Sequence, residues 1–213
     1  MTDLIVKASL RGIKYTIFRE PDINNEITAV AFEASNDARK LCSNLPLLVT
    51  GKSTLVKKLA THYGTDYVEE YGRAYTEISG TDNLTGLDFE NIAIGHQKLI
   101  NEKLKKGNKV LFVDTEAITT KVFGKMYMGE DFDSFVIGEI IFKQYFDLYF
   151  LLDVDVPWID DGTRDFPENR KEHFNRIKAE LDDKGIQYAI ISGNYQERFA
   201  QAVKEMDKLG YLY

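Results

Sequence analysis

The sequence has few of the residues that mark exported, disulfide-linked or membrane-spanning proteins. Its single cysteine, Cys42, cannot form an intramolecular disulfide, and its three histidines show no zinc-ligand spacing with it. No apolar run reaches the ~18 residues of a membrane span, and residues 1–7 lack a basic region followed by a long apolar core. These absences predict a cytoplasmic protein that makes no membrane contact.

A basic surface is missing as well. The chain has 27 Lys and Arg residues against 34 Asp and Glu, which gives a net charge of -7 and a pI of about 5.1. Because nucleic-acid binders normally carry a basic face, we expect no nucleic-acid partner and only local binding of phosphate. The 213 residues, 44% hydrophobic and 29% charged, are typical of a globular chain with one well-buried core.

Residues 1–44 differ from the remainder and form a predicted β-rich N-terminal extension. Two runs of β-type residues, 13–18 and 27–32, flank a turn at residues 21–25, and this pattern predicts a hairpin. Acidic and basic residues balance in this segment, so the negative charge lies downstream. The segment contains no chemical motif, and the sequence leaves its role open, together with the oligomeric state.

Residues 45–213 alternate between short apolar runs and amphipathic ones. This alternation predicts an α/β domain, a three-layer P-loop nucleoside/nucleotide-kinase-like fold with a parallel sheet and helices on both faces. The predicted strands are residues 47–49, 67–69, 109–113, 148–152 and 187–191. The predicted helices are residues 52–63, 72–79, 87–106, 115–127, 132–144, 168–184 and 195–208.

The first predicted strand runs into a Gly-Lys-Ser-Thr turn at residues 51–54. In a P-loop, backbone N–H groups at the start of a helix hold phosphate, a lysine reaches the β- and γ-phosphates, and a hydroxyl ligates Mg²⁺. The sequence therefore predicts a site for ATP and Mg²⁺, with Lys52 on the phosphates and Ser53 on the metal. The residues assigned to the nucleotide are Thr50, Gly51, Lys52, Ser53 and Thr54.

The match to the P-loop pattern G-x-x-x-x-G-K-[ST] is incomplete. The position of the first glycine is Pro46, which has no N–H to donate. If residues 47–49 form the strand, only Thr50 and Gly51 remain to wrap a phosphate. The alternative is an accidental Gly-Lys-Ser-Thr sequence that opens an ordinary helix.

Two other strand ends carry charged residues, and ligands of open parallel sheets bind at such ends. Asp114 ends an apolar strand, where a carboxylate helps to hold Mg²⁺; the alternative is an N-cap for the next helix. Glu70 ends the second strand, where a carboxylate can accept the proton of an attacking hydroxyl. Arg73 lies on the same helical face and is placed to clamp phosphate, although the two residues could instead form a solvated ion pair.

A polar loop at residues 157–164 follows the fourth predicted strand. An arginine on a mobile loop can close over a transferred phosphate, and Arg164 is the candidate for this role. It could instead pair with Asp161 or Asp165 on the surface. Trp158, the only tryptophan, is a candidate for stacking on a base or for packing the loop down.

The three histidines fall on predicted helices. We interpret His62 and His173 as surface residues. His96 has no assignment from the sequence.

Taken together, residues 47–213 resemble the ribosylnicotinamide kinase domain of NadR-type proteins. The resemblance rests on the order and spacing of five segments, each of which is modest alone. The segments are GKSTLVKKLA at residues 51–60, EYGR at 70–73, IGHQ at 94–97, FVDT at 112–115 and PWIDDGTR at 157–164.

The resemblance implies ATP- and Mg²⁺-dependent phosphorylation of the 5′-hydroxyl of nicotinamide riboside to nicotinamide mononucleotide, a salvage step toward NAD. It implies catalytic roles for Lys52, Glu70 and Arg164, and a metal site at Ser53 and Asp114. The implied substrate residues are Glu70, Tyr71, Arg73, Trp158 and Asp161. An adenylyltransferase domain does not fit into about 44 residues and no His-x-Gly-His sequence occurs, so we expect no adenylyl transfer.

Two alternatives stay open. Glu69 and Glu102 stand where this kinase family commonly has aromatic residues, which favours a kinase of the same fold that acts on another nucleoside. The incomplete P-loop instead favours a nucleotide-binding regulatory module with impaired catalysis.

Overall fold

Parallel strands alternate with helices along most of the chain. The computed structural model describes residues 6–10, 13–17, 40–45, 51–80, 84–106, 110–155 and 170–209. The strands are β1 Val6–Leu10, β2 Ile13–Ile17, β3 Lys40–Leu45, β4 Tyr67–Val68, β5 Val110–Asp114, β6 Leu148–Leu152 and β7 Tyr188–Ile191. The helices are α1 Lys52–His62, α2 Tyr71–Ser79, α3 Gly86–Lys106, α4 Ala117–Met128, α5 Phe135–Lys143, α6 Arg170–Asp183 and α7 Tyr195–Lys208.

The main sheet has five strands in the order β4-β5-β3-β6-β7, and every neighbouring pair is parallel. The central strand, β3, pairs with β5 from Lys40 opposite Val110 to Asn44 opposite Asp114. On its other side it pairs with β6 up to Leu45 opposite Leu151. Since the strands are parallel, their carboxyl ends lie at one edge of the sheet, which is where open α/β sheets bind ligands.

The position of the first strand corrects the sequence prediction. The strand was expected at residues 47–49, which lie outside the described residues, and residues 40–44 were assigned to the extension. The central strand is instead β3, and it ends at Leu45 while α1 begins at Lys52. The connection is therefore residues 46–51, as many positions as the P-loop pattern has from its first glycine to its second.

The N-terminal hairpin also differs from the prediction. Strand β2 covers most of the predicted run 13–18, but its antiparallel partner is β1, with Val6 opposite Ile17 and Leu10 opposite Ile13. Residues 27–32, the partner predicted from the sequence, lie outside the described part of the chain. The loop of two residues between β1 and β2 favours this local pairing over the longer one. The chain divides into two compact units, residues 1–38 and 39–213.

Two buried apolar clusters cover the two faces of the main sheet. On one face α1 and α7 pack on alternate residues of the strands, such as Phe112 and Phe150, and on the other face α3, α4 and α6 pack on Leu111 and Leu151. Helix α1 contributes four buried residues at helical spacing, Leu55, Val56, Leu59 and Ala60. Full burial of one such leucine stabilises the fold by roughly 1.5–3 kcal/mol. The structure thus confirms the predicted three-layer α/β arrangement.

Helices α2 and α3 carry candidate residues, and one carboxylate fixes how α3 starts. Asp88, in the first turn of α3, accepts hydrogen bonds from the backbone N–H and the hydroxyl of Thr85, at 2.7 and 2.6 Å. The Tyr75 hydroxyl of α2 donates to the other carboxylate oxygen at 2.7 Å. These bonds lower the pKa of Asp88 from 3.8 to about 2. Among the helices of the described residues, none is long and apolar enough to cross a membrane.

The lowered pKa of Asp88 predicts a pH-dependent contribution to stability. Because the folded-state pKa lies below the unfolded-state value, this contribution is fully present above about pH 4 and is lost as the pH falls toward 2. We expect Asp88→Asn to lower the free energy of unfolding at pH 7, and the gap between the two proteins to close between about pH 4 and pH 2. Urea denaturation of both proteins across this range measures the gap, and a gap that does not change with pH would contradict the assignment.

Candidate functional site

The turn before α1 lies at the ligand-binding edge of the sheet. Gly51 stands immediately before α1 with a left-handed φ of 74°, and its carbonyl accepts the first helical hydrogen bond, from Leu55 N–H at 2.9 Å. The first N–H groups of a helix have no partner within the helix and carry a partial positive charge. This helix start is therefore suited to an anion. Thr50, which the sequence assigns to the same site, lies outside the described residues, and Thr54 is exposed.

Gly51 cannot be exchanged for a larger residue without a change nearby. A Cβ atom placed on it would lie 2.3 Å from Cε1 of Tyr195, the first residue of α7. Its positive φ also costs other residues about 1–2 kcal/mol. Both constraints explain why a glycine stands at this point of the turn.

The side chain of Ser53, the residue after Lys52, is hydrogen-bonded to the end of β5. Ser53 Oγ donates to Asp114 Oδ2 at 2.6 Å. Asp114 is only 2% exposed, and its Oδ1 is buried with no hydrogen-bond partner among the described residues. The Ser53 hydroxyl and the Asp114 carboxylate thus bring two kinds of oxygen atom together. Mg²⁺ prefers hard oxygen ligands of this kind, and waters and phosphates complete its coordination shell. The described residues include no cluster of three acidic, histidine or cysteine side chains that could hold a metal alone.

Lys52, Glu70 and Arg73 surround Asp114. Burial is the main cause that raises the pKa of Asp114 above its ordinary value; Lys52 is the strongest of the neighbours that oppose this shift, and Arg73 is a weaker one. Glu70 adds to the shift with its own negative charge. Arg73 forms an ion pair with Glu70 at 3.6 Å, as the alternative interpretation of the sequence predicted. The pair is partly buried rather than fully solvated, and both residues act electrostatically on the Asp114 carboxylate. The structure therefore brings five of the predicted residues into one neighbourhood, Lys52, Ser53, Glu70, Arg73 and Asp114.

The N-cap alternative for Asp114 is wrong. Helix α4 begins at Ala117, and its cap is Glu116, whose carboxylate accepts from the N–H groups of Ile118 and Thr119 at 2.7 and 3.0 Å. Burial raises the pKa of Glu116 to about 7 although these bonds oppose the shift. Asp114 is thereby left available to the site. Sequence reasoning did not assign Glu116, because glutamate is less typical of caps than Asp, Asn, Ser or Thr.

Thr115 lies between these two carboxylates in a strained conformation. Its φ is 78°, and within the described part of the chain it is the only residue other than glycine with a positive φ. Its Oγ1 is buried without a hydrogen-bond partner in the same part of the chain. Strain of this kind, about 1–3 kcal/mol per residue, concentrates at functional sites. No sequence signal indicates it.

A buried arginine joins the ends of β6 and β7 at the same edge. Arg198 of α7 is 1% exposed; its Nε donates to the Gly193 carbonyl at 2.6 Å, and its Nη2 donates to the Asp153 carbonyl at 3.0 Å and pairs with Asp155. Asp155 also accepts from the Gly193 N–H. This network holds the two strand ends together beside Tyr195. No sequence pattern predicts this network, since Arg198 lies on an amphipathic helix where arginines are usually exposed.

The exposure of the histidines differs in part from the prediction. His62 is exposed, as expected. The prediction that His173 lies at the surface is wrong. Its side chain is 0% exposed, and its ring centroid lies 4.5 Å from that of Phe123. Neither ring nitrogen has a hydrogen-bond partner among the described residues. It occupies the buried face of α6 with Ile177 and Leu181, at the spacing i, i+4, i+8. His96 is 3% exposed and its Nε2 also lacks a partner in the described part of the chain.

Besides Thr50, three predicted site residues fall outside the described part of the chain. They are Trp158, Asp161 and Arg164. Tyr71 is described, and its ring packs against the backbone of Gly95 on α3, where an added Cβ would lie 2.3 Å from Cε1 of the ring. Tyr71 therefore connects α2 to α3 beside Glu70.

The sheet, the Gly-Lys-Ser-Thr helix start and the Ser53–Asp114 hydrogen bond define a protein with a P-loop kinase-like fold. A family model described as an AAA domain matches residues 49–198, and the chain belongs to that family. The chain also resembles the trifunctional NAD biosynthesis/regulator protein NadR of Escherichia coli strain K12, with 35% identity over 161 residues, 73% of this chain and 39% of that protein. The NadR protein of Salmonella typhimurium is 36% identical over 166 residues, 74% of this chain and 40% of its own length. The chain thus spans well under half of these relatives.

Solved structures agree with this assignment. A crystal structure of NadR protein in complex with NR superposes with a TM-score of 0.69 at 26% identity and covers 81% of this chain and 52% of its own. A structure of NadR with NAD and AMP-PNP gives 0.66 at 21% identity and covers 82% of this chain and 50% of its own. Thymidylate kinase from Ehrlichia chaffeensis superposes with a TM-score of 0.52 at 15% identity and shows the same fold. The match covers 78% of this chain and 98% of the thymidylate kinase chain.

The constraints on Gly51 predict the effect of one added methyl group. We expect Gly51→Ala to destabilise the protein by more than the ~1–2 kcal/mol of left-handed strain, because Tyr195 must also move. Gly64→Ala is the matched control: Gly64 has a φ of 58° at the end of α1, and nothing lies within 4 Å of an added Cβ. Urea denaturation measures both variants. Equal losses for the two, or a Gly51→Ala loss that Tyr195→Ala does not reduce, would contradict this account.

Proposed function

We propose that this chain transfers the γ-phosphoryl group of ATP to the 5′-hydroxyl of nicotinamide riboside. The observation that carries the proposal is the Ser53–Asp114 hydrogen bond at the start of α1, with Lys52, Glu70 and Arg73 around it. The NadR structure with NR, at 26% identity, supports the choice of acceptor. Because the chain spans only about 40% of its curated relatives, their other activities are not transferred to it.

The nucleotide half of the site would bind ATP. Lys52 is 9% exposed at the start of α1, where its charge would lie beside the β- and γ-phosphates, while the N–H groups of the first turn bind phosphate oxygens. Ser53 and Asp114 fit Mg²⁺, since their oxygens meet and Asp114 Oδ1 has no partner among the described residues. When bound, this ion would neutralise charge on the β- and γ-phosphates.

The acceptor half would lie at the start of α2. As the 5′-oxygen forms its bond to the γ-phosphorus, the bond from that phosphorus to the bridging oxygen of ADP breaks, and Glu70 takes the hydroxyl proton. Arg73, 3.6 Å from Glu70, would balance charge on the phosphoryl group and keep the carboxylate oriented. Arg164 as the lid arginine, and Trp158, Asp161 and Tyr71 as acceptor contacts, complete the proposal.

One observation favours a second candidate, a kinase of another nucleoside. Glu69 stands where the resembled family commonly has tryptophan, and here its carboxylate is 3.4 Å from Lys57 and accepts from the Tyr67 hydroxyl at 3.2 Å. These contacts hold a charged side chain where a stacking ring would act on the nicotinamide. Glu102 is exposed on α3. A different base could therefore be the better acceptor.

The test of the proposed function is a nucleoside panel with Mg-ATP and the Lys52→Ala variant. We expect nicotinamide mononucleotide from nicotinamide riboside, and a ~10²–10³-fold loss of kcat/KM in Lys52→Ala, because a preorganised charge beside the developing phosphate charge is removed. Lys58→Ala, on the exposed side of the same helix, is the control and should retain activity. Turnover of other nucleosides alone would favour the second candidate. No binding of millimolar Mg-ATP by calorimetry would refute both and leave a module without catalysis.

The Ser53–Asp114 pair predicts a changed metal requirement. In Ser53→Ala, one proposed Mg²⁺ oxygen is lost, so the Mg²⁺ concentration for half-maximal activity should rise by about tenfold, the effect of ~1.4 kcal/mol. Thr61→Ala removes a hydroxyl from the exposed end of the same helix, where it donates to the Lys57 carbonyl at 2.8 Å, and should leave the requirement unchanged. Activity titrated against Mg²⁺ at fixed ATP measures this, and an unchanged midpoint for Ser53→Ala would remove Ser53 from the metal site.

A further inference from the structure

His96 is a polar residue in an otherwise apolar face of α3. The residues that share this buried face are Phe89, Ile92, Ala93 and Ile100. A histidine in such a place usually hydrogen-bonds through both ring nitrogens, yet Nε2 of His96 is buried and has no partner among the residues the structure describes. A buried unsatisfied nitrogen costs roughly 1–3 kcal/mol. A phenylalanine or leucine would fill the position without this cost.

The position of His96 is next to the acceptor half of the proposed site. The preceding residue, Gly95, lies against the ring of Tyr71, and Ile92 lies one turn earlier against Gly72, 3.5 Å from where a Cβ would stand. Helices α2 and α3 are thus closely packed at the point where Glu70 begins α2. The Glu70 carboxylate is near enough to act on the His96 imidazole, and it acts on Asp114 as well.

The chemistry of His96 fits a neutral ligand group. Burial lowers its pKa to about 4, although Glu70 opposes the shift, so the imidazole is uncharged at pH 7. An uncharged ring nitrogen accepts or donates one directional hydrogen bond and adds no charge. It is therefore suited to a hydroxyl rather than to a phosphate, for which Lys52 and Arg73 are already present.

We propose that Nε2 of His96 hydrogen-bonds a secondary hydroxyl group, at C2′ or C3′, of the acceptor's ribose. The inference rests on the proposed function, because Glu70 can receive the proton of the 5′-hydroxyl only if the sugar lies within a few ångströms of it. His96 directly follows Gly95, which packs on the first turn of the helix that Glu70 begins, so its ring would reach the same sugar. The bond makes His96 a specificity residue that separates ribosides from deoxyribosides, since a site that binds a hydroxyl rejects the analogue that lacks it.

The first experiment compares His96→Phe and His96→Gln in steady-state kinetics with nicotinamide riboside and Mg-ATP. Phenylalanine keeps the packing and removes the nitrogen, so KM for the riboside should rise about tenfold while KM for ATP stays within about twofold. Glutamine extends an amide to the place of Nε2 and should restore most of the affinity. His62→Phe, the same exchange on the exposed end of α1, should change neither constant.

The second experiment removes the hydroxyl from the other partner. For the wild-type protein, 2′-deoxy- or 3′-deoxynicotinamide riboside should bind about tenfold more weakly than the riboside. For His96→Phe the same analogue should bind as weakly as the riboside itself, because the two deletions remove one contact and are not additive. Additive losses would overturn the inference.

A third measurement does not depend on turnover. Imidazole NMR signals of His96 should shift when nicotinamide riboside is added without ATP, whereas those of His62 should not. If the wild-type protein neither binds nor phosphorylates nicotinamide riboside, the proposed function is refuted. If it does both and the folded His96→Phe variant behaves like the wild type, only the role of His96 is refuted. Should His96→Phe fail to fold, the analogue comparison is made with His96→Leu, which also lacks the ring nitrogens.

Discussion

One partly buried hydrogen bond, 2.6 Å from Ser53 Oγ to Asp114 Oδ2, is the contact on which the rest of the site depends. It joins the first turn of α1 to the end of β5, and the two bonded residues are 61 positions apart in sequence. With that bond in place, the helix start, Lys52 and the two acidic residues Asp114 and Glu70 face one another. Without it, the partial positive charge of the helix start and the carboxylates that complement it would have no fixed geometry.

The fold supports this contact from both faces. Burial of α1 against Phe112 and Phe150 fixes the helix relative to the sheet, and the Arg198 network fixes the neighbouring ends of β6 and β7. Glu116 caps α4 one residue beyond the strained Thr115, so the direction of the chain after Asp114 is determined at three consecutive positions. The polar groups that lack partners in the described residues, on Asp114, Thr115 and His96, therefore lie in rigid surroundings, where each could bind a ligand without a large loss of entropy.

Much of this arrangement could be predicted from the sequence, because the spacing of apolar residues determines the helices and strands and the parallel sheet brings the strand ends together. From β4 to α7 the predicted elements are all present, since each has an apolar pattern of its own. The central strand β3 was missed because its sequence, KLCSNL, is half polar, and its place depends on pairing with distant strands rather than on a local pattern. The convergence of Ser53, Glu70 and Asp114 followed from the rule for parallel strand ends. The burial of His173 and Arg198 did not, because it depends on tertiary partners.

The place of β3 in the sheet has a consequence for how the chain can be divided. Its residues immediately follow the N-terminal unit that ends at Ala38, yet they pair on both sides within the five-stranded sheet. A cut at residue 45, where the sequence predicts that the α/β domain begins, would remove the middle of the sheet and leave two separate strand pairs, β4-β5 and β6-β7. Any partner domain attached ahead of the kinase-like unit would thus be covalently continuous with the innermost strand rather than with an edge.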